Sequence, residues 1–473
     1  MFVFSSRDIP HIIETVITTI EPARSRSYKP IPAYVLFLSA RFAHNFSTPE
    51  LLEELLEATV TAIRSVTKIK PDDMALTAYW ISNTSSFIHF LRKDAGLRHT
   101  SEAYQEKLEM LLQDMVHTII QDAERRMEQI LEPAMLEHDT IMGLDEVRFQ
   151  SVWAFNFWRG IGSGGRTNKR ASAPPVPSSQ SRSTESLRRT SLQAQRPSSP
   201  TQRSITPRTV TTMMSSLLFV MQIYDVHPEI IYYVIAQLLY YISCEVFNLM
   251  VENRKFLSRS KALQTRLNLS ILEDWLRNNQ LPSRLTDQLA ALVQLLQLLQ
   301  VLSQQSDLTT WIETRKKVEL LNPAQVKHVV SAYRYEVKEQ RLPAEVTKYV
   351  LQVVADTEKV RRQEAEAASS GSESSSRRAS SQISGSRAAS IFEAEENRMD
   401  KARRTRSGSR SGDSNTERDE EDADQMSLTM NSKIWNHFLM PKNLAARDGG
   451  IERVFVPQIP EDVMSLLDSK TYF

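Results

Sequence analysis

The residues that could do chemistry are few and badly placed for it. Nine histidines are scattered along the chain, and no pair stands at metal-ligand spacing with acids beside it. Glu137, His138 and Asp139 put a base between two carboxylates, but they follow Pro133 closely and have no identifiable pocket partner, so they read as a polar turn. The run Gly160-Ile161-Gly162-Ser163-Gly164-Gly165 has the composition of a phosphate loop. Cradling a phosphate needs the N-terminus of a packed helix. Here a basic Ser/Pro-rich tract follows, and the run reads as the start of a linker. The single cysteine, Cys244, falls in an apolar run, where a thiol is usually inert. One thiol makes neither an internal disulfide nor a multi-cysteine zinc site, which favours a reducing, intracellular setting. No catalytic residue, cofactor or metal site is assigned, and the chain reads as a non-enzyme.

Binding chemistry is better represented. Trp153, Phe155, Phe157 and Trp158 place four aromatic side chains just before the basic tract. They either anchor the end of a helical unit or form an exposed docking patch, since aromatic residues concentrate at interface hot spots. Ser172, Ser191, Ser380 and Ser407 each have basic residues within three positions upstream, the arrangement that kinases preferring basic substrates use. Phosphates there would offset the local positive charge and make or abolish a docking surface. Arg/Ser-rich composition also generates such matches by chance.

The elements that carry these residues are helical. Residues 263–302 are the most informative stretch. Ser270 and Glu273 have capping-box spacing, so a short helix is expected to start at Ser270, with Ile271, Leu272, Trp275 and Leu276 on one face and Glu273 paired with Arg277 outside. Trp275 shares the apolar face and is assigned to the core. Asn278, Asn279 and Pro282 stop that helix. A second helix, expected from near Ser283, is apolar almost all round apart from Gln294, Gln297, Gln300 and Gln304, so it must be surrounded by other helices. Earlier in the chain, Ile9, Ile12, Ile13, Val16, Ile17 and Ile20 step at helical spacing. Thr48-Pro49-Glu50 reads as a helix start, Pro71-Asp72-Asp73 as another, and 101–131 as a long amphipathic helix. Strand-like alternation is nearly absent, so the class is all-α.

Composition divides the chain into five parts. Residues 1–159 form a first helical subdomain. Residues 160–212 are a basic Ser/Arg/Pro-rich linker, with nine Lys or Arg and one acid between Ser163 and Arg208. Too little apolar surface is present there to offset ordering entropy. Residues 213–360 form a second helical subdomain. Residues 361–425 are a second Ser/Arg-rich linker ending in the acidic run Glu417–Asp424, and 426–473 regain apolar content. The net charge of +1 gives no global field towards nucleic acid or anionic membrane. The basic linker has no interleaved aromatics, which argues against base stacking and specific nucleic-acid binding; contact with an acidic membrane surface is the alternative to solvated disorder. No secretory signal is visible. The apolar run Ile230–Cys244 is shorter than the ~20 residues of a spanning helix, contains four Tyr and a Gln, and reads as a buried helix. The Asn-x-Ser patterns at Asn45, Asn83 and Asn268 read as accidental.

LNLSILEDWLRNNQL at 267–281, followed by the Leu/Gln-rich helix, resembles the dilute (DIL) domain, the cargo-binding globular tail of class V myosins, which also occurs in afadin-type scaffolds and in fungal proteins that join it to ankyrin repeats. KPIPAYVLFLSARFA at 29–43, TAYWISNTSSFIHFLR at 77–92, LEPAMLEHDTIMGL at 131–144, LLNPAQVKHVVSAYR at 320–334 and VFVPQIPEDV at 454–463 are similar to globular-tail blocks in the expected order. The sequence shows no motor segment, heptad coiled coil or ankyrin repeat, so it corresponds to the globular domain with two insertions, free-standing or lacking an N-terminal part. The long linkers lean towards the fungal scaffold-like branch. The resemblance implies an elongated array of two helical subdomains, with 426–473 folding back on the first. It implies a cytoplasmic adaptor that binds short segments of partner proteins. Those partners would be vesicle or organelle adaptors, Rab-type GTPases or actin-cytoskeleton components, with localisation at vesicles, the cell cortex or sites of polarised growth. A cortical actin or adhesion-type scaffold outside motor transport is the other function the resemblance implies.

Overall fold

The computed structural model describes residues 3–22, 28–143, 146–150, 205–370, 428–432 and 457–468, with side chains described to 363 in the third-last of these segments. Its helices, in chain order, are α1 (Ile9–Ile13), α2 (Ile31–Phe46), α3 (Pro49–Ile69), α4 (Met74–Lys93), α5 (Leu97–Thr100), α6 (Glu102–Leu131), α7 (Pro207–Ile223), α8 (Pro228–Glu252), α9 (Arg259–Asn278), α10 (Ala290–Val301), α11 (Leu308–Lys317), α12 (Pro323–Ala332), α13 (Ala344–Ser370) and α14 (Glu461–Asp468). Among the described residues the β-structure is a single bridge between Phe149 and Glu336. The fold is all-α.

Local chemistry explains most helix starts. Thr48 is extended, Pro49 occupies the first position of α3, and the Glu50 carboxyl is held below its ordinary range by its own backbone N–H and the Thr48 hydroxyl. α4 starts at Met74 rather than Pro71, because the Asp73 side chain accepts from the Leu76 N–H at 3.0 Å and leaves Pro71 in the preceding turn. Asn322 and Gln325 form a reciprocal cap around Pro323 at the start of α12.

The Ser270 start is a correction. α9 begins at Arg259, eleven residues earlier, behind Ser258, whose hydroxyl accepts from the Lys261 N–H. Ser270 is inside the helix, with its hydroxyl donating back to the Leu267 carbonyl at 2.7 Å. Glu273 pairs with Arg266 at 3.2 Å, while Arg277 pairs with Asp274, so the expected Glu273–Arg277 pair is replaced by two others. Trp275 is in the core, 7% exposed, and its indole N–H donates to Ser215 Oγ at 2.7 Å. After Pro282 the chain first makes a tight 3₁₀ stretch, Ser283–Leu289, and only then enters α10. Leu292, Leu295, Leu296, Leu298 and Leu299 of α10 are buried. The second half also begins earlier than composition suggests: Thr206 and Pro207 start α7, and Val210 and Thr211 are already buried. The run of Arg and Thr there disguises a helix whose apolar face is narrow.

α8 and residues 283–304 are long and apolar enough, by length and composition, to cross a membrane. In the fold, 72% of the apolar window of α8 is buried against α6, α10 and the Ser283–Leu289 turn, the position of a core helix. Cys244 lies on it, fully buried, and burial pushes its thiol up to about 11. One hydrophobic core runs through both halves, from Ile12 and Trp80 to Phe247 and Trp311.

The last described segments tie into both halves. Around Met430, the Asn248 amide donates to the Met430 carbonyl at 2.8 Å and accepts its N–H at 2.6 Å. Further on, Leu467 of α14 is fully buried, the Leu466 carbonyl meets His11 Nε2 at 3.2 Å, and Tyr28 donates to Asp462 at 3.0 Å.

Candidate functional site

The two halves of the chain meet along two edges. At the first, the turn after α6 is sewn to α9. Asn268 Nδ2 donates to the carbonyls of Met135 and His138 at 3.0 and 2.9 Å. Gln264 accepts from the N–H groups of Thr140 and Ile141 and donates to Asn268 Oδ1 at 2.9 Å. Lys255 bridges Glu132 and Glu137, and Lys261 grips Asp139. Glu137, His138 and Asp139 are thus a structural seam, and Asn268 is about as buried as a residue can be. Asn83 is buried too, donating to the Lys29 and Tyr79 carbonyls. Neither asparagine is open to a glycan in the folded chain.

At the second edge the halves part to leave a groove of about 770 Å³. α4 forms one wall with Ser82, Ser85 and Ser86, then Phe90; the other is the turn from α7 to α8 and the end of α9. Two residues in the left-handed region shape its mouth. Asp225 (φ 55°) closes α7, and Val226 N–H returns to the Met221 carbonyl. Gln280 (φ 54°) closes α9, and Leu281 N–H returns to the Leu276 carbonyl. Both closures are the helix-ending motif in which the chain turns back after a left-handed residue. His227 caps α8 by accepting from the Glu229 N–H at 3.2 Å.

Across this edge Lys29 Nζ lies 3.2 Å from Asp225 Oδ2, and Ser82 Oγ donates to the Asp225 carbonyl at 3.1 Å. Ser85 donates to the Ser82 carbonyl. These hydroxyls are spent on backbone acceptors, and the groove is left with an ion pair, Lys29–Asp225, and an apolar side built by Phe90, Leu218 and Ile231. Among the described residues no group of three or more His, Cys, Asp or Glu is placed to hold a metal ion.

Trp153, Phe155, Phe157 and Trp158 lie outside the described residues, as do Ser172, Ser191, Ser380 and Ser407. The chain enters the aromatic segment from a fixed point: Gln150 N–H donates to the Tyr335 carbonyl and Val337 N–H to that of Arg148. Lys29, Asp225 and Gln280 escaped sequence reasoning. The Asp225–Pro228 turn between two apolar runs was a visible sign, but nothing local joins it to Lys29, 196 residues away.

The described residues thus form an array of packed helices with a groove of about 770 Å³ opening between its halves. Residues 233–337 match the family model described as the DIL domain. A dilute domain-containing protein of Schizosaccharomyces pombe is 28% identical over 359 residues, covering 72% of this chain and 57% of that protein. Human unconventional myosin-Va is 26% identical over 327 residues, covering 65% of this chain and 16% of the myosin. The chain therefore spans little more than half of the first relative and a small part of the second. Among solved structures, a myosin V cargo binding domain superposes with a TM-score of 0.51 at 16% identity, covering 75% of this chain and 85% of that one. Myo2-GTD in complex with Mmr1 gives 0.50 at 18% identity, with 75% and 83% covered. At such identities the likeness concerns the fold.

Proposed function

We propose that the chain is a non-enzymatic dilute-domain adaptor. It binds short segments of partner proteins and links vesicle or organelle cargo to actin-based transport or polarity machinery in the cytoplasm. The observation that carries this reading is the groove at the second edge: it is open, mixed in polarity, and framed by two left-handed helix ends rather than by reactive groups. Such a groove suits a peptide that inserts an apolar side chain and bonds its polar atoms at the rim. Solved relatives with the same fold include complexes with Mmr1, Smy1 and Inp2, which supports protein partners as the ligand class.

Proximity labelling with the full chain tests it. Gln222 lines the groove and is exposed, so Gln222→Trp fills the space without touching the core. Vesicle adaptors and Rab-type GTPases should dominate the labelled set of the wild type and fall away in the variant. A set unchanged by the substitution would remove the groove from the function. A set of cortical actin and junction proteins would favour the scaffold reading instead.

A further inference from the structure

A second groove, of about 630 Å³, has a different character. It lies where α8 and α12 end beside the Phe149–Glu336 bridge, and its charged lining is cationic: Arg254, Lys255, Arg334 and Arg341. The Arg334 guanidinium sits 3.7 Å over the Phe149 ring, and that of Arg341 is 5.5 Å from Tyr335. Lys255 is paired with Glu132 and Glu137. Arg254 and Arg334 are held by backbone carbonyls instead, of Ala332 at 2.9 Å and Lys255 at 3.2 Å. Among the described residues neither has a carboxylate partner. The nearby acids are already engaged: Glu336 accepts from the Ser260 N–H, and Glu339 from the Tyr333 and Ser303 hydroxyls. Partial burial and the Arg254 charge both lower the proton affinity of Arg334. Arg254 and Arg334, brought together with the Arg334 guanidinium over an aromatic ring and no carboxylate on either, suit a carboxylate-rich ligand, because the planar fork binds carboxylates bidentately.

The chain contains such a segment, and residues shortly after it are fixed on the helices that build the groove. The run 417–424 carries six acids and one Arg. Four residues after it, the Leu428 carbonyl accepts from Gln325 Nε2 at 3.2 Å, and Met430 is clasped by Asn248. Gln325 and Asn248 lie on the two helices whose ends build the groove, α12 and α8, pinned together by His328 Nε2 on the Val251 carbonyl at 3.0 Å. From Gln325 to the groove-lining Ser331 is about 9 Å along α12. Asp424 precedes Leu428 by four residues, a reach of up to about 14 Å. We infer that the acidic run 417–424 docks in the Arg254/Arg334 groove of its own chain, making this groove an intramolecular acidic-peptide site.

Cross-linking in the full chain decides it. Cys244 is fully buried, so cysteines introduced at exposed Ser331 and at Ala423 are the reactive ones. A short bis-maleimide should join Ser331→Cys to Ala423→Cys within one chain. The yield should fall about fivefold at 1 M salt, where the screening length shrinks to ~3 Å. It should fall as far when the six acids are changed to their amides, and again with Arg254→Gln, which removes an exposed charge and leaves the core alone. A yield no higher than from Met110→Cys, exposed on α6, with Ala423→Cys overturns the proposal. So does a yield indifferent to the acids. Cross-links found only between chains would overturn the intramolecular site and assign the groove to a second copy.

Discussion

The two edges between the halves use polar groups in opposite ways. At the sewn edge, Gln264 and Asn268 are buried and turn their amides onto backbone groups of residues 135–141, so polar chemistry is consumed in holding the fold. At the open edge, the Lys29–Asp225 pair and the Ser82 bond hold the halves at one point, and the surface beside them is left for a ligand. A fully buried amide costs most when its partners are lost, whereas a pair whose carboxylate keeps about a third of its surface in water, as Asp225 does at 35%, contributes less. The same two halves therefore have one edge held by buried amides and one that stays open beside a single ion pair.

The largest test of this contrast is Asn268→Leu. Two carbonyls and the Gln264 amide would lose their partner in a buried site, so urea unfolding should show a loss of about 3–5 kcal/mol. A loss below about 1 kcal/mol would mean that the amides are not what closes this edge. At the open edge, Asp225→Asn keeps a residue type that tolerates the left-handed region and removes the charge pair; with Lys29 only 11% exposed, it should cost about 1–2 kcal/mol, still below the loss at Asn268. An equal effect from both substitutions would erase the distinction. Gln280→Gly should act in the other direction. It relieves a left-handed non-glycine residue, and after the entropy of a freer unfolded chain is subtracted, about 0.5 kcal/mol of stabilisation should remain. His117 of α6 supplies a control belonging to neither edge. Burial lowers its pKa below 6.5, so the folded state prefers the neutral ring. That contribution is present above the unfolded value and is lost as pH falls through the folded one. His117→Asn should therefore flatten the stability slope between about pH 7 and 5 without changing the difference between the edges.

What was readable in the sequence follows the reach of each interaction. The start of α3 could be read because Thr48, Pro49 and Glu50 act within one turn, and Trp275 because its face is written at helical spacing. The start of α9 could not. Ser258 has no acid three residues on, while Ser270 and Glu273 carry the pattern without the geometry, since the same spacing recurs inside a continuous helix. The Glu137–Asp139 turn was legible as polar, but its partners Lys255 and Lys261 are more than a hundred residues away. The groove was least legible of all. Its walls come from residues 29–34, 82–90, 218–232 and 279–281, and only packing brings them together.

The closing contact between α14 and the first helices sets an order of events during synthesis. Tyr28 and Asp462 are separated by 434 residues, and His11 and Leu466 by 455. At ~5–20 residues per second, the ribosome needs about 20–90 s between making the first member of such a pair and the last. For that whole interval the surface destined for α14 emerges uncovered, ahead of the segment that seals it. The nascent chain is exposed longest at the place it finishes last, and a holding chaperone would find its site there.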